Sequence, residues 1–268
     1  MTIDGFVPEQ TKAFVGYSDR VADALSSKLD HLGRTIHVDV AGIEHLPPGG
    51  GLLVANHAFG FDVAFAIARI HELTGRRVWS LGEHAWWSVP GLRRLAAAVG
   101  TVDGTVENAD ALLAAGELVL VLPGGLREAM KPRDLRYRLL WGHRYGFVRA
   151  ALRHGVPLIP MASLGADDLF NLVGDAFKRA RRFHLPFPLP RPAHLFPLPH
   201  FRTIHFVIGE PIPTAGALAV HEAHEGDNDG EGASDEEQVV RRLRREVEGA
   251  IHEMFEEELA RRAHFCAS

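Results

Sequence analysis

The residues best suited to do chemistry begin with an Asn-His pair, Asn56-His57, followed five positions after the histidine by Asp62. The spacing alone carries little weight in a chain with 16 histidines, and a second His-x4-Asp, His224 and Asp229, sits inside a polar acidic stretch. Local context separates the two. His57 directly follows Gly51 to Ala55 (GLLVA), which reads as a short buried strand, and Asp62 lies in the first turn of a helix expected from Phe61 to Leu73. A strand–loop–helix turn lets the carboxylate reach back to the imidazole. A carboxylate on one ring nitrogen fixes the tautomer and raises the basicity of the other, which is how a general base is built. The same pattern also fits an aspartate that caps the helix beside a packed histidine.

A second group lies in LVLPGGLREAMKPRDLRYRL, residues 120–139. Gly124 and Gly125 allow backbone conformations that other residues avoid, and N–H groups in such a turn can face an anion or an oxyanion. Arg127 is suited to clamp a phosphate or carboxylate. Glu128 is expected either to hold Arg127 or to cap a helix. The alternative is an ordinary strand-to-helix turn with a surface arginine. A third polar group, Ser163 to Asp168, follows another expected strand.

The elements that must position these groups alternate. Strands are expected at Thr35–Val40, Gly51–Ala55, Val78–Leu81, Leu118–Leu122, Pro157–Met161 and Thr203–Ile208. Helices are expected at 9–31, Phe61–Leu73, Pro90–Ala98, Ala109–Ala115 and His143–His154. Alternation of this kind implies an α/β fold: a central mixed, partly parallel sheet flanked by helices, with an N-terminal helix and a C-terminal amphipathic helix. In open α/β sheets ligands bind beyond the carboxyl ends of the strands, where all three polar groups fall. Val240, Leu243, Val247, Ile251 and Met254 form one stripe on the C-terminal helix, suited to packing on the body. Eight of the 16 prolines fall between Pro186 and Pro213, so FHLPFPLPRPAHLFPLP reads as an extended apolar arm. The expected layout is an N-terminal helical segment (1–34), an α/β domain (35–213), an acidic flexible loop (214–237) and a C-terminal helix packed on the domain (238–268).

Composition narrows the function. The chain has 268 residues, 46% hydrophobic and 24% charged, which excludes a fibrous or wholly disordered protein. The net charge of −5 is uneven: residues 221–237 hold eight acidic side chains and no Lys or Arg, leaving 29 Lys and Arg against 26 acidic residues elsewhere. That mildly basic body is far from a nucleic-acid binder but tolerates an anionic membrane surface. The lone Cys266 excludes internal disulfides and multi-thiolate zinc sites and fits a reducing compartment. No H-E-x-x-H, P-loop, G-x-S-x-G or dinucleotide fingerprint is present, so no metal or bound cofactor is expected. Gly51 to Ile70 is the most apolar stretch, but it carries Asn56, His57 and Asp62 and is a poor membrane span. The N-terminus, MTIDGFVPEQ, is unlike a signal peptide. The expectation is a cytoplasmic protein, soluble or peripheral on the inner face of a membrane. The proline-rich arm and Trp86-Trp87, near Arg93-Arg94, would supply its apolar contacts.

These blocks resemble a known family. N-H-x4-D after a short strand resembles the first block of the glycerolipid acyltransferase superfamily, which includes the lysophosphatidic acid and glycerol-3-phosphate acyltransferases. LPGGLREAM resembles its third block and VPLIPMA, residues 156–162, its fourth. PGLRRLAAAVGTVDGT lies between the first and third, and GEPI at 209–212 resembles a late segment; the resemblance runs from about Gly42 to Ile212. It implies a sheet with flanking helices and transfer of an acyl group from acyl-CoA or acyl carrier protein, the donor being a co-substrate. It puts the base on His57, its partner on Asp62, and acceptor binding around Gly124, Gly125, Arg127 and Glu128. One feature departs from the pattern. Phosphate-acceptor members usually read F-P-E-G-T-R-S, whereas this chain has Gly124 in place of that glutamate and Glu128 after the arginine. The PGGxREA form resembles a branch related to type 2 diacylglycerol acyltransferases and phytyl ester synthases, which acylate neutral alcohols. A Glu128 paired with Arg127 would weaken a phosphate clamp. The expected activity is O-acylation of a neutral lipid or glycerolipid hydroxyl. The alternatives are a lysophosphatidic acid acyltransferase using Arg127 on phosphate and a catalytically silent lipid-binding protein.

Overall fold

The computed structural model describes residues 36–58, 62–84, 100–129, 131–169, 202–218 and 235–267, together with positions 87, 96 and 97. The helix expected at 9–31, the proline-rich arm, most of the Pro90–Ala98 helix and all but the end of the acidic stretch lie outside them.

Seven described strands form one sheet: β1 (Ile36–Ala41), β2 (Gly51–Ala55), β3 (Val78–Gly82), β4 (Thr101–Asp103), β5 (Leu118–Val121), β6 (Leu158–Leu164) and β7 (Arg202–Ile208). Their order is β1-β7-β6-β2-β5-β3-β4. Neighbours from β6 to β4 run parallel; β7 lies antiparallel to β6, and β1 runs parallel to β7. The sheet is therefore mixed and mostly parallel. A central parallel strand has both faces covered, so its sequence is apolar throughout rather than alternating. GLLVA is such a strand, and all five of its residues are buried. Leu52 and Val54 point to one core and Leu53 and Ala55 to the other.

The helices supply the two covers: α1 (Asp62–Thr74), α2 (Val106–Ala114), α3 (Gly125–Ala129), α4 (Gly146–His154), α5 (Ala166–Leu169) and α6 (Asp235–Ala267). Phe65, Ala66, Ile67 and Ile70 of α1 pack on one face with Leu53, Leu120 and Ile159. On the other face, α2, α4 and α6 enclose Leu52, Val119, Leu158 and Leu164. The α6 stripe read from the sequence is spent on this core: Val240, Leu243, Val247, Ile251 and Met254 are all buried.

Two elements escape the periodicity argument. Strand β4 has three residues, too few to show alternation. Strand β6 continues past Met161 to Leu164, so Ser163 lies within the sheet, paired to Phe206 of β7.

Candidate active site

Strands β6, β2 and β5 are neighbours at the centre of the sheet. Their carboxyl ends bring the three polar groups together. Backbone pairing of β2 to β6 ends at Ala55 and Met161, and the side chain of Asn56 continues it. Its Nδ2 donates to the Ser163 carbonyl at 2.9 Å and its Oδ1 accepts the Ser163 N–H at 2.6 Å. Asn56 is buried, and an amide satisfies both backbone groups where a hydrocarbon would leave them bare. The next residue, His57, thus leaves a fixed strand end.

The His57 ring meets Asp62 through Nδ1, at 3.2 Å from Oδ1 and 3.4 Å from Oδ2. Asp62 is fully used: Oδ2 accepts the Ala58 N–H at 2.7 Å and Oδ1 its neighbour Val63 N–H at 3.0 Å. The two readings left open by the sequence therefore coincide. The carboxylate ties the first turn of α1 and orients the imidazole at once. Asp62 retains 1% side-chain exposure and His57 13%, so the carboxylate is shut in while the ring keeps an edge toward solvent. With Nδ1 donating to Asp62, Nε2 is the nitrogen that can accept a proton.

The backbone of His57 is held as well. Its N–H donates to Glu128 Oε1 at 2.8 Å, and its carbonyl accepts from Lys131 Nζ at 3.0 Å. Glu128 Oε2 accepts the Leu140 N–H at 2.8 Å. Lys131 also pairs with Asp167 Oδ2 at 3.0 Å, and that oxygen accepts the Tyr137 N–H at 3.1 Å. Burial pushes the Glu128 carboxyl above its ordinary pKa, against the opposing pull of the His57 and Leu140 N–H groups and of Lys131. Burial raises Asp167 likewise, Lys131 opposing and the charge of Asp62 adding to the rise. Tyr137 sits at φ 57°, a conformation that non-glycine residues adopt under constraint. Here the constraint is the Asp167 bond at its N–H, with its ring edge-on to Phe255 of α6 at 5.6 Å.

The glycine turn differs from its reading in two respects. Arg127 and Glu128 do not pair: Arg127 is exposed, while Glu128 is 0% exposed with both oxygens on backbone N–H groups. Successive helix positions diverge by about 100°, which sends one side chain out and the other in. Glu128 consequently faces the interior. Gly125, at φ 53°, donates its N–H to the Leu122 carbonyl at 3.0 Å, so that donor closes the turn. A Cβ on Gly125 would approach Arg144 Nη1 at 2.9 Å and Glu83 Oε2 at 3.2 Å, and Arg144 Nη1 donates to the Pro123 carbonyl at 2.5 Å. Charged groups therefore crowd the Gly125 corner, whose backbone must stay bare. Among the described residues no group of three or more His, Cys, Asp or Glu is arranged to hold a metal.

Residues 37–164 match the family model named Acyltransferase, a span that holds His57, Asp62, Glu128 and Lys131. This stretch is similar to acyltransferase domains. Uncharacterised proteins of Mycobacterium tuberculosis are 36% identical over 190 residues, covering 66% of this chain and 52% of theirs. The protein named DGAT1/2-independent enzyme synthesizing storage lipids is 31% identical in Mus musculus, over 52% of this chain and 45% of that one. In Homo sapiens it is 29% identical, over 70% and 57%. The chain spans about half the length of these curated relatives. A crystal structure of the 1-acyl-sn-glycerophosphate acyltransferase PlsC from Thermotoga maritima superposes with a TM-score of 0.51. It covers 88% of this chain and 78% of that one at 16% identity, a likeness of fold.

Sequence reading of this stretch named His57, Asp62 and Glu128 but not Lys131, Arg144 or Glu83. Asp167 lay inside the third polar group without being singled out. Nothing in the string marks Lys131 as buried; only the fold, which sets it against His57 and Asp167, reveals that.

Proposed function

We propose that this domain transfers a fatty acyl group from a thioester donor, acyl-CoA or acyl carrier protein, to the hydroxyl of a neutral lipid or glycerolipid. The observation that carries the reading is the His57–Asp62 contact through Nδ1, which leaves Nε2 as the base. Nε2 takes the proton of the acceptor hydroxyl. The oxygen attacks the thioester carbonyl, and the buried Asp62 charge favours the imidazolium that forms. Collapse of the tetrahedral intermediate expels the thiolate, which takes the proton back from His57. Donor and acceptor react directly, with no acyl-enzyme, and no metal takes part.

The neutral acceptor is supported by the relatives named for storage-lipid synthesis. Lysophosphatidic acid is the second reading. An exposed Arg127, unpaired with Glu128, favours it, since an exposed guanidinium can pair with a phosphate. Both acceptors reside in bilayers, and we place the protein peripherally on the cytoplasmic face of a membrane. None of the described helices is long and apolar enough to cross one.

The deciding experiment measures thiol release from a long-chain acyl-CoA with vesicles carrying diacylglycerol, a long-chain alcohol or lysophosphatidic acid. We expect the neutral acceptors to turn over faster, with the diacylglycerol KM unchanged in Arg127→Ala. A preference for lysophosphatidic acid that Arg127→Ala abolishes would establish the second reading instead. Lipid binding without thiol release from any acceptor would mark a silent lipid-binding protein.

A further inference from the structure

We propose that Glu128 is a positioning residue for His57, and that position 124 is a glycine so that the Glu128 carboxylate can fill the space a side chain there would take. The inference rests on the reading of His57 as the base.

The geometry around Gly124 is exclusive. A Cβ built there would lie 2.0 Å from Glu128 Oε2, 2.3 Å from its Cβ and 2.5 Å from its Cδ. Those distances are far inside van der Waals contact, so even alanine cannot share the site with Glu128 in place. Gly124 is not among the glycines at positive φ, so what requires glycine is volume rather than backbone conformation. The Glu128 carboxylate reaches that space from four residues later, one turn along α3.

The delivered carboxylate acts on the base. Glu128 Oε1 holds the N–H of His57, and Lys131, three residues on, holds its carbonyl. Both peptide units that flank the His57 Cα are thus tied to buried charges from a single short segment. Lys131 is anchored in turn by Asp167, and Glu128 by Leu140. A buried carboxylate on two neutral N–H groups is a costly way to close a loop. Its return is a base whose pivot cannot drift, and a displacement of about 1 Å in a reacting group lowers rate about 100-fold.

The test combines turnover, melting and exchange on the full chain. Glu128→Ala should lower kcat about 100-fold with KM within about threefold of wild type. Glu128→Gln should fall nearly as far, because its amide NH2 turns a donor toward one of two N–H donors. Gly124→Ala should behave like Glu128→Ala, and adding it to Glu128→Ala should cost nothing more. Gly124→Glu with Glu128→Ala, the exchanged pair, should recover at least about tenfold of the lost kcat. Protection of the His57 amide from hydrogen exchange should drop in Glu128→Ala and return in the exchanged pair. Wild-type kcat in Glu128→Ala, additive losses for the two single variants, or an exchanged pair no better than Glu128→Ala would overturn the proposal. A wild-type chain that releases no thiol would defeat the proposed function, while His57 amide exchange would still report on the clamp.

Discussion

His57 has its ring tied at Nδ1 and both adjoining peptide units tied to charged side chains, a geometry that leaves Nε2 outside those contacts. That rigidity is bought with buried charge. Glu128 and Asp167 both have carboxyl pKa values raised by burial. A carboxyl whose pKa is higher folded than unfolded binds its proton more tightly in the native state. Its contribution to stability is therefore full below the unfolded pKa and is lost as pH rises through the folded one. We expect wild type, compared with Glu128→Gln, to lose relative stability as pH climbs from the ordinary carboxylate range, then to level off. Urea unfolding of both proteins across that range measures it, and a wild type that gains stability relative to Glu128→Gln as pH rises would contradict the account. Of these residues the sequence exposed the types and not the burial. Glu128 was visible beside Arg127, but its true partners, the N–H groups of His57 and Leu140, lie 71 and 12 positions away.

Elements were legible where their period was long enough to repeat. Strand β2 lies where GLLVA indicated, and helix α1, described from Asp62, ends at Thr74, one residue past the expected Leu73. The α6 stripe was read correctly because five apolar positions recur along one face, and burial of all five shows that it covers the body. Strand β4 and helix α3, at three and five residues, offered no repeat to read. Helix α6 also reaches the site indirectly, since its Phe255 meets Tyr137, whose N–H is held by Asp167. Ile251 is 0% exposed in this contact layer. Ile251→Ala should destabilise the fold by about 2–5 kcal/mol, the usual range for emptying such a site. Chemical denaturation measures this, with an unchanged denaturant slope expected. A loss below about 0.5 kcal/mol, the scale of a surface substitution, would show that α6 does not seal the core.

At the scale of the whole molecule, the alternation of strands and helices gave the class of fold, and the class gave the edge of the sheet where chemistry belongs. Strand order was beyond its reach. Nothing local says that β6 lies beside β2, yet that adjacency sets Ser163 against Asn56 across 107 residues of chain. The same adjacency brings Asp167 to Lys131 and completes the frame around His57. The central claim is that this frame holds a general base for acyl transfer. Thiol release from a long-chain acyl-CoA, with diacylglycerol vesicles as acceptor, tests it in wild type, His57→Ala and His224→Ala. We expect His57→Ala to lose roughly 100- to 10,000-fold in turnover with its melting temperature retained, and His224→Ala to match wild type. Equal turnover by His57→Ala and wild type would contradict the account.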